Sequence, residues 1–402
     1  MNRSALTVLA LTAFVDMLGF SIILPILPFY AETYGATASV IGLLFASYSI
    51  MQFIFSPIWG SVSDRIGRKP VLIIGLTGAA IGLIIFGLAE SLFVLFAARM
   101  FSGIMASTVP VAQAYVADVT APEYRAKAMG MLGAAIGLGF VLGPALGGML
   151  EGFGRGLPAF VAAGIAILNA IWTATALGES LSHETRSERW LPLGAVKTIV
   201  KLPLVTLILG VFFINVFAFA AMEATFALLI RDVVFPGVSH AVLARRVGYL
   251  LGFSGVIMVI VQGGLLGRLV RAFGEARLIP TGLAFIAGGL VMLPLLTSLV
   301  WVMVSLTLLS VGVALIRPNI FSLLSQLVPE STQGGIMSIG QALSSLARAT
   351  GPAWAGWMYH AVGYPAPFIF GSVLTGIAFG GALVIVAILP ATFRRVGFRV
   401  SA

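Results

Sequence analysis

Residues 38–69 read ASVIGLLFASYSIMQFIFSPIWGSVSDRIGRK, and this stretch decides the fold class. Its first part, residues 38–59, contains no charged residue, and about 20 such residues cross the apolar core of a bilayer as a helix. Its second part places four charged residues between Asp64 and Lys69 among glycines, which is typical of a tight loop at a membrane surface. The stretch therefore predicts a transmembrane helix followed by a short polar turn.

The whole chain shares this composition. Of its 402 residues, 59% are hydrophobic and 9% are charged, whereas soluble domains carry about 25% charged residues. Lipid admits only helices or closed barrels, and barrel strands alternate in polarity, which these segments do not. We therefore predict an all-α integral membrane protein with twelve transmembrane helices, called spans 1 to 12: residues 5–30, 38–59, 70–89, 92–116, 127–150, 158–178, 203–230, 247–267, 278–297, 300–325, 335–358 and 366–390.

The distribution of positive charge predicts the orientation. Most of the 23 lysines and arginines fall in loops on the side that carries both chain termini, and the positive-inside rule makes that side cytoplasmic. The net charge of +9 is explained in this way and does not indicate a nucleic-acid partner. Span 1 continues past Asp16 without a cleavage site, so we expect it to be retained. These features predict a multi-pass protein of the inner (plasma) membrane, with the lipid bilayer as its surroundings.

An internal repeat divides the chain into two parts. Acidic and glycine positions recur 207 positions later: Asp16 as Glu223, Gly60 as Gly267 and Gly67 as Gly274. Matches of this kind are rarer by chance than matches between apolar residues. We predict two six-helix bundles of the same topology, residues 1–178 and 203–402, joined by a cytoplasmic connector at 179–202.

The loop after span 2 carries a family signature and reads Gly60-Ser-Val-Ser-Asp64-Arg65-Ile-Gly67-Arg68-Lys69. It matches G-x-x-x-D-R-x-G-R-K, the signature of the major facilitator superfamily, which the chain resembles. Taken alone, the loop could be a basic turn with an incidental acid. The resemblance implies a secondary transporter whose two bundles rock about a central cavity.

Span 5 contains a run of small residues, Gly139-Phe-Val-Leu-Gly143-Pro144-Ala-Leu-Gly147-Gly148. It is similar to the G-x-x-x-G-P-x-x-G-G motif of the drug/proton antiporters in this superfamily, which implies antiport. Small residues at spacings of three and four also allow helices to approach closely, so a packing role is an alternative. Both readings fit a helix at the interface between the bundles.

The stretch from Tyr115 to Gly130 resembles the tetracycline and multidrug efflux branch. By this resemblance, Asp64, Arg68 and Asp118 form a cytoplasmic charge cluster that braces span 2 against the start of span 11 when the inner gate is shut. The same predicted gate includes Gly60, Arg65 and Gly67. The branch carries a histidine in span 8 and an acid in span 9, and these predicted spans contain neither. This departure argues against tetracycline itself as the substrate.

Two acids lie inside predicted spans, where a charge costs about 2.5–3.5 kcal/mol on insertion scales. Asp16 lies near the middle of span 1, and Glu223 is its counterpart in span 7. Because burial favours the neutral form of a carboxyl group, both suit reversible proton binding. We predict a role in proton or substrate coupling. The alternative is a permanent ion pair, Asp16 with Arg99, or Glu223 with Arg317 or Arg348.

Other polar residues in spans are secondary candidates for coupling or substrate contact. The resemblance implies that Arg99 in span 4 takes part in proton coupling. For Arg348 in span 11 we favour a counter-ion to Glu223 over an anchor for an anionic substrate group. The remaining candidates, Arg317, Gln113, Asn215 and Asn319, lie in spans 10, 4, 7 and 10; for the neutral ones, helix–helix contact is the alternative.

The sequence favours a proton-coupled transporter that exports lipophilic or cationic small molecules. A lipid or glycolipid translocator and a proton-coupled metabolite symporter share the fold and stay open. The chain has no P-loop and no nucleophile-elbow motif, so we do not expect an enzyme. With no cysteine and three scattered histidines we expect neither a metal nor a cofactor. We expect the transporter to act as a monomer.

Overall fold

The structure is a computed structural model that describes residues 3–120, 122–154, 156–180, 202–295, 298–328 and 330–396. These residues form helices and turns without any β-strand, so the all-α prediction is confirmed for them. Two π-helical turns, Ile230–Val234 and Val261–Leu265, each continue a longer helix. The helices are α1 Arg3–Ser21, α2 Leu27–Glu32, α3 Ala38–Ile66, α4 Arg68–Gly87, α5 Leu92–Met105, α6 Thr108–Val119, α7 Pro122–Glu151, α8 Leu157–Ala176, α9 Pro203–Leu229, α10 His240–Ile260, α11 Leu266–Phe273, α12 Glu275–Leu295, α13 Leu299–Leu327, α14 Glu330–Ala361 and α15 Ala366–Val396.

Ten helical segments of the described chain are long and apolar enough to cross a membrane. They correspond to spans 2 to 10 and span 12. Span 1 contains a shorter apolar helix, Ala5–Ser21. Span 11 is α14, which is rich in small and polar residues and includes Arg348. A protein with many membrane-crossing helices is therefore shown, while the count of twelve stays a prediction.

Spans 1 and 4 are each broken, which corrects the prediction that both are continuous helices. α1 ends at Ser21, four residues before Pro25. Ala106 caps the end of α5 and lies four residues before Pro110. A proline ring collides with the helical carbonyl group four residues earlier and offers it no N–H, so each helix stops where the proline requires.

The two halves of the chain touch at one end of the bundle. We call the end that carries Asp64 and Arg68 the motif side, and the end that carries Glu32 and Arg231 the far side. On the far side, α3 packs on α14 so closely that a Cβ atom added to Gly42 would lie 3.1 Å from Cα of Gly356. Backbone therefore meets backbone at this contact.

A second close contact joins α7 to α10 on the far side. A Cβ atom added to Gly148 would lie 2.9 Å from Cα of Gly248. Closer to the motif side, a Cβ atom at Gly137 in α7, or at Gly263 beyond α10, would meet nothing within 4 Å. The two helices thus touch on the far side and separate toward the motif side.

Candidate functional site

A buried arginine organises the polar loop on the motif side. Arg68, the first residue of α4, is 9% exposed. Its Nη1 lies 2.7 Å from Oδ1 of Asp64, and its Nε donates to Oδ2 of Asp118 at 3.1 Å. The hydroxyl group of Ser63 accepts from Nη1 at 2.6 Å. A guanidinium group suits this arrangement because it presents several N–H donors in fixed directions.

Glu179 is part of the same cluster, although sequence reasoning assigned it only to the connector. Its Oε1 accepts from the backbone N–H of Arg68 at 2.9 Å, and its Oε2 from that of Lys69 at 3.2 Å. These N–H groups begin a helix and have no partner within it, so a carboxylate there is favourable. Gly67, with a φ of 111°, leaves the space, because a Cβ atom at this position would collide with the Glu179 carboxylate.

The start of the connector is fixed to this cluster by two further hydrogen bonds. The hydroxyl group of Ser180 donates to Oδ2 of Asp118 at 3.2 Å, and that of Tyr115 donates to the carbonyl of Gly178 at 2.8 Å. Residues 181–201 of the predicted connector lie outside the described residues. So do the side chains of residues 330–335, which begin span 11. The expected contact between the cluster and span 11 therefore stays a prediction.

The other gate residues take no part in these contacts of Arg68. Arg65 is exposed, and Gly60 has open space where a side chain would begin.

The small residues of span 5 pack against two different helices. Gly139, Gly143 and Gly147 repeat every fourth residue on one face of α7, and a Cβ atom at any of them would collide with α1 at Phe14, Ser21 or Ile22. Gly148 instead faces α10, while Pro144 lies inside the continuous α7. The close-packing interpretation therefore holds for this motif, and it places α7 between the first and second halves.

Asp16 lies in the first half of the chain, in the wall of a cavity that also includes Arg99. The cavity encloses about 30 Å³ between α1, α3, α4, α5 and α8, which is enough for a water molecule. Thr108 lies beside the Asp16 carboxylate, although its buried hydroxyl forms no hydrogen bond of normal geometry. Asp16 and Arg99 form no direct ion pair in the described chain, so the alternative of a permanent pair is not seen here.

Arg99 is held by aromatic rings instead of a carboxylate. It is 2% exposed, and its Nε atom has no hydrogen-bond partner. Its guanidinium carbon lies 4.6 Å from the centre of the Tyr48 ring and 5.7 Å from that of Phe20. Cation–π contacts of this kind contribute about 2 kcal/mol when desolvated.

Glu223 meets Arg348 between α9 and α14. Nη1 of Arg348 lies 3.7 Å from Oε2 of Glu223, whose side chain is 7% exposed. The guanidinium carbon of Arg348 also lies 5.6 Å from the centre of the Phe20 ring, in the first half of the chain. Of the two arginines weighed for Glu223, the structure brings Arg348 to it. Phe20 was missed, because its sequence position in an apolar span gives no sign of two cationic neighbours.

The remaining predicted site residues are dispersed. Arg317 is exposed and forms no ion pair within the described residues, and the charged group that acts on it is Arg348. Gln113 is exposed. Asn215 is buried with Oδ1 lacking a partner, and Asn319 is buried with its amide donating to the carbonyl of Leu315 at 2.6 Å. Asn319 thus serves its own helix.

A second charged cluster, on the far side, was also missed. Arg231 pairs with Glu32 from the other half of the chain, and its Nε donates to Oδ1 of Asp232 at 2.6 Å. The Tyr359 hydroxyl donates to Oδ2 of Asp232 at 2.6 Å, and Nε2 of His240 lies 3.7 Å from Oε2 of Glu32. These residues sit at helix ends where the sequence shows only scattered charges. Together they tie α2 to the ends of α9 and α14.

The Major Facilitator Superfamily model matches residues 9–352 and 237–398. The chain belongs to this superfamily. The resemblance inferred from the signature loop is confirmed, and the protein is a transporter of the facilitator type.

Superfamily members with long matches include efflux proteins. Multidrug resistance protein 2 of Bacillus subtilis (strain 168) is 29% identical over 391 residues, which cover 95% of each chain. Tetracycline resistance protein, class E, of Escherichia coli is 31% identical over 375 residues, covering 90% of this chain and 89% of the relative. The human organic anion transporter MFSD10 (TETRAN) has a TM-score of 0.72 at 25% identity, covering 94% of this chain and 99% of that chain. These matches extend over nearly the whole facilitator fold.

The longer helices bring two residues closer to the pattern of the tetracycline branch. α10 begins at His240 and α12 begins at Glu275, so the helices that correspond to spans 8 and 9 have a histidine and an acid as their first residues. Both lie at helix ends, outside the predicted spans. His240 contacts Glu32 on the far side, and Glu275 accepts hydrogen bonds from Ser322 and Gln326. In this facilitator, neither residue lies in the centre with Glu223.

Proposed function

We propose that this chain exports lipophilic or cationic small molecules in exchange for protons. The twelve spans form two six-helix bundles. These open a site between them alternately to the two sides of the membrane. The motif side and both termini face the cytoplasm of an inner (plasma) membrane, and the far side faces outward. The efflux relatives support drug export over lipid translocation or metabolite symport. Both bundles belong to one chain, and we propose that the working unit is a monomer.

The group of Glu223, Arg348 and Arg99 carries this proposal. Glu223 is the carboxylate at the boundary between the halves, and both arginines act on it. An ionisable group inside a membrane is costly, so its presence at the boundary is explained by a function that needs its charge to change. When Glu223 gains a proton, Arg348 loses its negatively charged partner. When Glu223 loses the proton, that partner is restored.

Glu223 lines a small apolar cavity, which a substrate would have to enlarge on binding. About 20 Å³ is enclosed between the turn after α1 and helices α7, α9, α10 and α13, with Phe140, Phe219, Met222 and Met258 in its wall. Methionine and aromatic side chains adapt to differently shaped apolar ligands. A substrate with a positive or polar group competes with the proton for the Glu223 carboxylate.

The transport cycle follows from this competition. The structure is closed on the far side, so the substrate enters from the cytoplasm. On the outer side, a proton binds Glu223 and displaces the substrate. The bundles then reopen toward the cytoplasm and carry the proton to that side. Each charge moved inward through 100 mV releases about 2.3 kcal/mol, which can drive the export. Asp16 and Arg99 share a cavity large enough for a water molecule, and a water bound there would exchange protons with Asp16.

The test uses purified protein in liposomes that contain a pH-sensitive dye. A panel of cationic, neutral and anionic amphiphiles is added to the wild type, Asp16→Asn and Glu223→Gln. We expect substrate-evoked proton movement in the wild type and its loss in both variants. Glu90→Gln is the matched control, because Glu90 is an exposed acid between α4 and α5.

Two results would contradict the proposal. Proton movement that persists in Glu223→Gln would remove this residue from the coupling. Absence of proton movement with every compound, together with movement of a fluorescent lipid between leaflets, would identify a lipid translocator.

A further inference from the structure

One aromatic ring contacts an arginine from each half of the chain. The guanidinium carbon of Arg99, from α5, lies 5.7 Å from the centre of the Phe20 ring, and that of Arg348, from α14, lies 5.6 Å from it. Phe20 is four residues after Asp16 in α1 and therefore on the same helix face. Both residues line the same cavity.

For Arg99 the ring takes the place that a carboxylate has in an ordinary ion pair. Arg99 is buried, makes no ion pair in the described residues and has an unpartnered Nε atom. Its compensation comes from the faces of Phe20 and Tyr48, whose rings also contact each other at 4.9 Å between centroids. Without Phe20, one of the two rings that lie against this buried cation is lost.

The Phe20 ring also stabilises Arg348, and its importance there depends on whether Glu223 carries a proton. Its other partner is Glu223, at 3.7 Å, and that partner can be neutralised by a proton. When Glu223 is neutral, Phe20 is the remaining group among the described contacts of Arg348 that stabilises its charge. The charged and titratable groups around Glu223 and these arginines are Asp16 in α1, Tyr48 in α3, Arg99 in α5, Arg317 in α13 and Arg348 in α14.

We propose that Phe20 is a positioning residue for proton coupling. Its ring holds Arg99 and Arg348 on either side of the boundary between the halves, so that a proton gained or lost on Glu223 in one half changes the charge balance in the other. The inference rests on the proposed function, and it adds a residue that carries no charge.

The competing interpretation is that Phe20 fills space in the core. A space-filling ring contributes to stability in proportion to its buried area. Its replacement would then lower every activity together. If the ring instead positions the arginines, its loss reduces proton coupling and leaves substrate exchange nearly unchanged.

The experiment compares three substitutions in the full chain in liposomes. Phe20→Leu removes the ring, Phe20→Tyr retains it, and Phe86→Leu removes a fully buried ring of the first half that packs edge-on against Tyr30 with no arginine beside it. Two quantities are measured for each: substrate-evoked proton movement, and substrate exchange across the membrane at equal pH on both sides.

We expect Phe20→Leu to reduce proton movement about tenfold and to leave equal-pH exchange within about twofold of the wild type. A tenfold loss corresponds to about 1.4 kcal/mol, within the range of a desolvated cation–π contact. Phe20→Tyr should keep both quantities. Phe86→Leu should lower both in the same proportion, by reducing the amount of folded protein.

A double variant then asks whether Phe20 acts through Glu223. Because Glu223→Gln already removes proton movement, the double variant is read by substrate exchange at equal pH. Adding Phe20→Leu to Glu223→Gln should leave this exchange within about twofold of Glu223→Gln alone, because residues that act as a unit are not additive. A further loss in the double variant, or a Phe20→Leu variant that behaves like Phe86→Leu, would overturn the inference. If Phe20→Leu does not fold, Phe20→Met provides the ring-free variant.

The two proposals fail in different ways. If Glu223→Gln alone retains proton movement, the proposed function fails. If Glu223→Gln loses proton movement and Phe20→Leu does not, the proposed function stands and only the role of Phe20 is wrong.

Discussion

Nη1 of Arg348 lies 3.7 Å from Oε2 of Glu223, and the Glu223 side chain is 7% exposed while that of Arg348 is 26% exposed. The carboxylate is thus the more deeply buried partner. Removal of one member of a buried pair costs about 3–5 kcal/mol, because the other charge is left uncompensated. The acid, however, can escape this cost by taking up a proton.

This asymmetry predicts a pH-dependent loss of stability in Arg348→Gln. We expect a lower thermal unfolding temperature than in the wild type, with a difference that grows as the pH is raised, because a neutral Glu223 no longer needs a partner. The measurement is thermal unfolding in detergent. The double variant Glu223→Gln with Arg348→Gln should recover most of the loss.

Arg317→Gln is the control for that prediction. Arg317 has no ion pair in the described chain, and its one charged influence is the like charge of Arg348. Its replacement should leave the unfolding temperature unchanged or raise it. A drop as large as that of Arg348→Gln would show that the pair with Glu223 is not what the stability depends on.

Arg68→Lys should impair transport although the charge is kept. A single ammonium group cannot reach Asp64, Asp118 and Ser63 with the fixed fork of donors that Arg68 uses. A hydrogen bond to a charged group contributes about 1.5–3 kcal/mol, so we expect at least a fivefold slower uptake of substrate into inverted vesicles. Lys69→Gln should have a small effect, because the backbone of Lys69, and not its side chain, binds Glu179.

Gly143→Ala and Gly137→Ala should have opposite effects on stability. An added methyl group at Gly143 would collide with Ser21 and Ile22 of α1, and overpacking costs about 1–3 kcal/mol. At Gly137 it would meet nothing within 4 Å, and alanine stabilises a helix by about 0.5–1 kcal/mol over glycine. Unfolding temperatures of the two variants in detergent test this. Equal shifts in one direction would show that α1 and α7 do not pack as described.

Glu32→Gln should favour opening of the far side. The Glu32 carboxylate pairs with Arg231 across the halves, and an amide replaces a charge-assisted contact with a weaker one. Because the chain has no cysteine, spin labels can be attached at Thr37→Cys and Ser239→Cys without background. We expect the population with a long distance between the two labels to grow.

Glu90→Gln provides the comparison for this measurement. It removes an exposed acid near the same end of the molecule without touching Arg231. The distance distribution should match that of the unsubstituted labelled protein. An identical shift in both variants would mean that surface charge, and not the Glu32 contact, sets the equilibrium.

The sequence predicted the helices well and their interruptions poorly. Hydropathy locates a span because the bilayer imposes the same requirement on every segment. Pro25 and Pro110 end helices, but Pro57 and Pro144 lie inside continuous ones. Whether a proline breaks a helix depends on the neighbouring helices that can satisfy its freed carbonyl group, and local sequence does not contain that information.

The charges of the candidate site were predicted, and so was the contact of Arg348 with Glu223, but the aromatic contacts of Arg99 and Arg348 were not. Asp16, Glu223, Arg99 and Arg348 stand out because a charged residue in an apolar span is rare. Their pairing depends on how helices turn toward each other. Phe20 gave no signal because a phenylalanine in an apolar segment is ordinary.

Glu179 shows a second reason why sequence analysis misses a functional residue. Its importance comes from the two backbone N–H groups of α4 that it caps. A contact to backbone leaves no complementary residue type for a sequence pattern to detect. The same holds for Gly67, whose role depends on a neighbour more than a hundred residues away.

The glycine contacts on the far side have a mechanical consequence. Where Gly42 meets Gly356 and Gly148 meets Gly248, no side chains interlock, so the surfaces are smooth. Interlocked side chains must change rotamer before two helices can part, and each such change adds to the barrier. Surfaces of this kind can separate and rejoin as rigid plates. At the glycines they are held by short-range dispersion that vanishes within a few ångströms, while the Glu32–Arg231 pair adds a charged contact on the same side. A gate of this kind packs closely when it is shut and meets only a low barrier when it begins to open.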